Sequence, residues 1–345
     1  MAHDEGLHLV YEGRDACGKE TQSNLIAEEF RKLGIDVRAY HFPQYETLIG
    51  KLIQQDLRDE AAFCEFIPAH NEGVEWMEGR YEVSAHRHYA FQCLMLADKM
   101  SVAGKVRDFL EEGYVVVTDR WKPSGECFAP DDGVDGVWVQ DTQDILEHGD
   151  INFLLDLPTE VAEARRPKLR DRYEKDRSKQ ERLRTAYLDY WKRRHYQGRW
   201  EVVDGDRTRE EILAGTWAMV CEVAYSRAKL RGIHHFDDDR GVMISVRRDE
   251  DEIRFEWRDE IDSFDGGREY IDRIGTSTVD KVAAWCRREK RRFDGQEPLS
   301  AGDRLLKLFL GDNEHLPVSF RSVRGLTFLR QLQLMCLPRA KGSST

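Results

Sequence analysis

The segment Glu12–Gln22, EGRDACGKETQ, constrains this chain more than any other. Gly13 and Gly18 stand with four residues between them, and Lys19 follows directly. Glycines at that spacing let backbone N–H groups turn inward onto phosphate oxygens, and the lysine adds a full positive charge. The flanks fit. Leu7–Tyr11 reads as a short strand, and Lys19–Leu33 as a helix with Leu25, Ile26, Phe30 and Leu33 on one side and Gly34 as its C-terminal cap. A helix beginning where the loop ends points its positive pole at the same phosphates. Gly13, Arg14, Asp15, Ala16, Cys17, Gly18, Lys19, Glu20 and Thr21 are therefore the expected nucleotide-binding loop. One position departs from the usual pattern. Glu20 stands where a Ser or Thr hydroxyl would meet magnesium, and Thr21 comes one residue later, so either is a candidate metal contact.

Strand-like and helix-like stretches alternate as far as Arg227. Asp36–Tyr40, Tyr114–Thr118, Ile151–Asp156 and Trp200–Val203 read as strands; Ser84–Glu112, two stretches within Pro158–Lys192, and Thr208–Arg227 read as helices. That alternation predicts an α/β fold with a parallel sheet covered on both faces. Residues 59–82 are polar and irregular, the reading of a loop or insertion. Beyond Arg231 the pattern changes. Val242–Arg247 and Ile253–Trp257 read as two strands joined by a polar turn; Ser277–Phe293, Leu299–Leu310 and Leu326–Leu337 read as helices. The chain thus divides into residues 1–230, a smaller α+β domain at 233–338 of no named function, and a disordered tail at 339–345.

A formal net charge of -12 argues against generic attraction to nucleic acid or anionic membrane. The run Arg287–Arg292, with Trp285 and Phe293 beside it, leaves the second domain one place for a polynucleotide, against the simpler reading of a solvated helix face. No stretch approaches a membrane span, and the first residues carry no signal-peptide pattern. Seven cysteines without a CxxC pair read as free thiols in a reducing cytoplasm.

Several motifs together resemble the thymidylate kinase family. The loop is similar to its EGxDxxGKxTQ. His41–Thr47 with Gly50 and Ile53 resembles FPxxxTxxGxxI; Asp119–Ser124 resembles DRYxxS; Phe153–Pro158 with Arg165 resembles FLDxPxxxxxxR; Val203-Asp204-Gly205 resembles the closing strand and turn. The resemblance spans about residues 5–225. It implies a P-loop NTPase fold with a five-stranded parallel sheet flanked by helices, usually as a homodimer, that transfers the terminal phosphoryl group of ATP to dTMP with Mg²⁺.

The resemblance also implies roles. Arg120 grips the acceptor's monophosphate, a bidentate task suited to guanidinium, and Asp119 holds magnesium through water. Asp15 meets the acceptor's 3′-hydroxyl, and Ser124 lies nearby. Phe42, Pro43 and Tyr45 line the acceptor site. The family stacks the base on an aromatic residue and bonds it with an arginine. Here Met95 and Lys99 hold those places, with Phe91 one turn earlier as an alternative stacking group. Residues 165–172 carry five basic side chains and match the lid that closes over ATP. Some relatives have an arginine directly after the loop aspartate; this chain has Ala16. That assigns catalysis to Lys19 and Arg120 with the lid residues Arg165, Arg170 and Arg172. Two other readings stand beside this one: a P-loop kinase drawing on polyphosphate, and a degenerate nucleotide-binding scaffold without turnover.

Overall fold

The computed structural model describes residues 6–58, 83–165, 176–194, 198–230, 233–237, 242–262, 268–294 and 323–338. Five strands, β1 (Leu7–Glu12), β2 (Val37–His41), β3 (Val115–Asp119), β4 (Ile151–Asp156) and β5 (Arg199–Asp204), form one parallel sheet in the order β2-β3-β1-β4-β5. Strands β1 and β3 are buried along their whole length. Continuous rather than alternating apolar character is what a strand covered on both faces requires.

Helices cover both faces. On one side, α1 (Lys19–Lys32) buries Ile26, Ala27 and Phe30. Phe30 meets Trp217 of the helix Arg209–Leu230 edge-on at 5.0 Å. Gly34 ends α1 at φ 75°, donating from its N–H to Arg31 O, while Ile35 N–H reaches Phe30 O. That left-handed cap is the one glycine was expected to provide. On the other side, α3 (Val83–Glu111) packs Val102, Val106 and Leu110 with Val116 and Trp121. Between β2 and α3 lies α2 (Leu48–Arg58). After β3 come α4 (Lys122–Phe128), a single 3-10 turn at Pro130–Asp132 and α5 (Gly136–Gln143). After β4 come α6 (Thr159–Arg165) and α7 (Arg177–Arg194); Arg209–Leu230 is α8.

A second sheet follows, antiparallel, in the order β6-β7-β8-β9: Ile233–Asp237, Val242–Asp249, Glu252–Asp262 and Arg268–Thr278. The sequence showed only the two middle strands. Strand β6 is short and half polar, and it lies at the very start of the expected second domain. Strand β9 intersperses its isoleucines and threonines with Arg268, Glu269, Asp272 and Arg273, so no clean alternation survives. The expected helix from Ser277 begins instead at Val279, as α9 (Val279–Asp294), because β9 runs to Thr278. The last described helix, α10 (Val323–Met335), matches expectation, with Leu337 just past its end. The segment 59–82, the helix Leu299–Leu310 and the tail 339–345 lie outside the described residues.

Helix α10 packs on the first sheet's side of the molecule. Leu334 and Leu337 join the core built by β1, α1 and α8. Arg330, 8% exposed, donates to Asp36 Oδ2 at 3.0 Å, Glu112 O at 2.9 Å and the Tyr114 hydroxyl at 2.8 Å. Gln333 reaches Gly34 O at 3.0 Å. From the other sheet, Arg248 donates to Met335 O and Leu337 O. Charged hydrogen bonds of this kind contribute about 1.5–3 kcal/mol each, and their loss strands polar groups. Arg330→Ala is therefore expected to lower unfolding stability by about 2–3 kcal/mol. A chemical denaturation midpoint unchanged from the parent would refute this anchoring role.

Candidate active site

The register brings the site together before any side chain is considered. Tyr11 of β1 pairs with Asp119 of β3, and Glu12 pairs with Leu154 of β4. The C-terminal ends of three central strands therefore meet, and ligands of open parallel sheets bind outside such ends.

The loop after β1 is shaped by its glycines. Gly13 has φ 133°, and a Cβ there would stand 2.7 Å from Leu155 O. Gly18, at φ 97°, begins α1. Ala16 adopts φ 63° without being glycine, a mildly strained turn. Lys19 is 6% exposed, and its Nζ donates to Arg14 O at 2.6 Å. Arg14 itself turns away from the cleft. Its guanidinium donates to Leu157 O, Pro158 O and Thr159 Oγ1, stitching the loop to the start of α6. Cys17 is buried, with Sγ 3.7 Å from Lys19 Nζ.

A cleft of about 760 Å³ opens beside the loop, lined by Asp15, Ala16, Gly18–Thr21, the segment from Ala39 to Thr47, Asp119, Arg120 and Arg165. Arg120 also has a left-handed backbone, φ 66°. Two hydrogen bonds hold that conformation: Arg120 N–H to Tyr11 O at 2.9 Å, and Trp121 N–H to Glu12 Oε1 at 2.8 Å. The Arg120 fork then donates to Asp15 Oδ1 at 2.5 Å and to Gly13 O at 3.2 Å, above the Phe128 ring. Burial opposes its charge, but Asp15, Tyr187, Asp119 and Glu12 outweigh that and hold the guanidinium firmly protonated.

Glu12, fully buried, organises the floor. Its Oε2 accepts from Ser124 Oγ at 2.7 Å and the Tyr187 hydroxyl at 3.0 Å. Burial pushes its carboxyl up, against Ser124, Arg120, the Trp121 N–H and Tyr187, which favour the anion. Asp15 also faces Gln180 Nε2 of α7 at 3.4 Å. The sequence reading gave Glu12, Tyr187 and Gln180 no role. A carboxylate closing an otherwise apolar strand was the one visible signal for Glu12; nothing local marked Tyr187 or Gln180.

Asp119 Oδ1 is buried and accepts no hydrogen bond, and His41 Nδ1 stands 3.6 Å from Oδ2, an ion-pair distance. The hydrogen-bonding and charge of Asp119 raise the His41 imidazole above its ordinary range, against burial. Arg165 reaches Gly205 O at 2.8 Å and lines the cleft. Arg170 and Arg172 lie outside the described residues.

The segment after β2 is pinned for a physical reason. Thr47 Oγ1 accepts from Gly50 N–H and donates to Gln44 O, capping α2. A Cβ on Gly50 would stand 1.8 Å from Gln44 O, so the close approach requires glycine. Gln44 is fixed in turn by Asp98 of α3. This holds Pro43 and Tyr45 against a second cavity of about 70 Å³, lined also by Phe91, Gln92, Met95, Arg120, Ser124 and Phe128. Phe42 is buried, and it lines the larger cleft.

Lys99 corrects an expectation. It was assigned to the acceptor's base, yet it is fully buried, outside both cavity walls, and its Nζ has no hydrogen-bond partner. Burial pushes its ammonium down to about 8, against the pull of Glu12 and Asp98. It lies one turn beyond Met95 on the same helix face and is turned toward the Glu12 network.

The family model described as thymidylate kinase matches residues 78–214. The probable thymidylate kinase of Thermococcus kodakarensis is 31% identical over 185 residues, covering 53% of this chain and 82% of that protein. The thymidylate kinase of Plasmodium falciparum is 27% identical over 192 residues, covering 54% of this chain and 80% of its own. A solved thymidylate kinase from Candida albicans is similar at 19% identity with a TM-score of 0.48, over 63% of this chain and 91% of that one.

Proposed function

The chain belongs to the thymidylate kinase family, and on that premise we propose how its cleft performs ATP-dependent phosphorylation of dTMP. It is a nucleoside monophosphate kinase. The observation carrying the assignment of roles is that Lys19 and Arg120, from different strand ends, line one cleft. One cation belongs to the donor's phosphates and the other to the acceptor's.

In this reading the N–H groups of the loop cradle the ATP phosphates, and Lys19 trades its bond to Arg14 O for phosphate oxygens. Arg120, already held by Asp15 and Glu12, grips the acceptor's phosphate with its fork. Asp15 receives the acceptor's 3′-hydroxyl. Charge spreads over the transferring phosphoryl oxygens in the transition state, so positioned cations supply most of the rate. With Ala16 in the loop, the lid residues Arg165, Arg170 and Arg172 complete that charge. Magnesium fits the donor set: Asp119 brings a buried oxygen without a hydrogen bond, and Glu20 and Thr21 line the same cleft. When bound, the ion neutralises charge on the donor's phosphates.

We further assign residues 1–230 to the kinase domain and 233–338 to a second domain docked through α10. A homodimer in the cytoplasm is consistent with the family and with six free cysteines among the described residues. No described helix is long and apolar enough to cross a membrane. The comparisons do not favour the polyphosphate or scaffold readings. Coupled ADP-release assays on dTMP test the reading directly, with ATP or polyphosphate as donor. Turnover with ATP alone is expected; ATP binding without turnover on any monophosphate would overturn it.

A further inference from the structure

The base of the acceptor has lost its expected reader, because Lys99 is turned into the Glu12 network. Seven residues earlier, two turns along the same helix face, stands Gln92. It shares the smaller cavity with Phe91, the residue before it, and Met95, three residues on. The same lining includes the Phe128 ring and the polar side chains of Asp15, Arg120 and Ser124. Gln92 is 3% exposed, and its Oε1 is buried with no hydrogen-bond partner among the described residues. Buried polar atoms without partners are rare and costly. Here the residue that carries the atom lines the cavity that the acceptor's base would enter.

We propose that Gln92 reads the pairing edge of the acceptor's base, with Oε1 accepting from N3–H and Nε2 donating to O4 of a thymine or uracil ring. This rests on the kinase reading above. A primary amide offers one acceptor and two donors, so it matches the imide edge with two parallel hydrogen bonds. The same bidentate logic lets glutamine read a base edge in nucleic acids. Phe91 and Phe128 supply aromatic faces and Met95 a polarisable one for the ring. The reader is neutral, which suits a cavity that already holds Arg120 at one end. A lysine or arginine reader would add a second cation there. Cytosine presents an acceptor at N3, where Oε1 requires a donor, so it fits only with the amide reversed. In this amide orientation Gln92 favours imide over amidine bases, and because the 5-methyl group lies off the pairing edge it leaves dTMP against dUMP to other residues.

Steady-state kinetics on the full chain test this, with saturating ATP and dTMP, dUMP or dCMP as acceptor. Gln92→Leu and the closer-shaped Gln92→Met are expected to lower kcat/KM for dTMP and dUMP about 10- to 100-fold, chiefly through KM. The KM for ATP is expected to stay unchanged, and dCMP to change little, so the preference for imide bases narrows. Thermal midpoints at or above the parent's are expected, since an unpaired buried amide is removed. A merely structural glutamine would lower stability and depress all three acceptors alike. Parental kinetics on dTMP in both variants, or a uniform loss across the three bases, would overturn the inference. A parent protein inactive on all three acceptors would instead refute the kinase reading and the inference with it.

Discussion

Lys19→Ala is expected to reduce phosphoryl transfer by at least about 10²- to 10³-fold while leaving the protein folded. The first part follows from charge. Lys19 is the only cation of the loop that faces the cleft, because Arg14 is spent on Leu157, Pro158 and Thr159. No loop group is left to take over. The second part follows from its contacts. Lys19 Nζ donates to Arg14 O and, over a longer distance, to Cys17 Sγ, and losing these costs about 1 kcal/mol. The measurement is ADP release in a coupled assay beside a thermal melt of the same preparation. Retained turnover would sink the P-loop mechanism; lost turnover together with lost folding would show that Lys19 is structural.

The second large effect is at Arg120, where charge and geometry are separated by Arg120→Lys. Lysine keeps the positive charge that Asp15 and Glu12 require, but a point ammonium cannot make the two parallel bonds of a fork. The expected result is a rise in KM for dTMP and a fall in kcat/KM of about 10²-fold or more, with KM for ATP nearly constant. Arg120→Ala is a different experiment. It leaves the Asp15 carboxylate without its ion-pair partner, removes a favourable charge from buried Glu12, and costs about 3–5 kcal/mol of stability, as breaking a buried pair does. If Arg120→Lys retained parental KM for dTMP, the fork would have no part in holding the acceptor's phosphate.

Much of the first sheet was legible because its signals are local. A buried strand is a short apolar run, and β1, β3 and β4 are such runs. The cap at Gly34 and the turn at Thr47–Gly50 are likewise local chemistry, a left-handed residue and a hydroxyl at a helix start. The second sheet was half legible. Its two middle strands carry β-branched residues in runs, whereas β6 and β9 mix theirs with charges.

The site divides along the same line. Residues held by the loop or by a strand end, such as Lys19, Asp119 and Arg120, were named from loop spacing, strand position and family resemblance, and all three line the cleft. Side chains that arrive from distant helices were not. Tyr187 reaches Glu12 across 175 positions of chain, and Gln180 reaches Asp15 across 165. The family resemblance pointed to Lys99, which is buried outside the smaller cavity, and not to Gln92, which lines it. Seven residues apart, both fall on one stripe of α3, but only the packing against β1 and α4 decides which end of that stripe is sealed.

The sequence alone determined that this chain holds a phosphate-binding loop between a buried strand and a helix, because glycine spacing and apolar runs act within a few residues. The tertiary structure decided which cations face the cleft. Arg14 is drawn into backbone carbonyls, Lys99 is buried beside a carboxylate, and Arg120 is held at the cleft by Glu12 and Asp15. Each outcome depends on which buried charge or polar group comes within reach, and that is fixed only when distant strands and helices pack together.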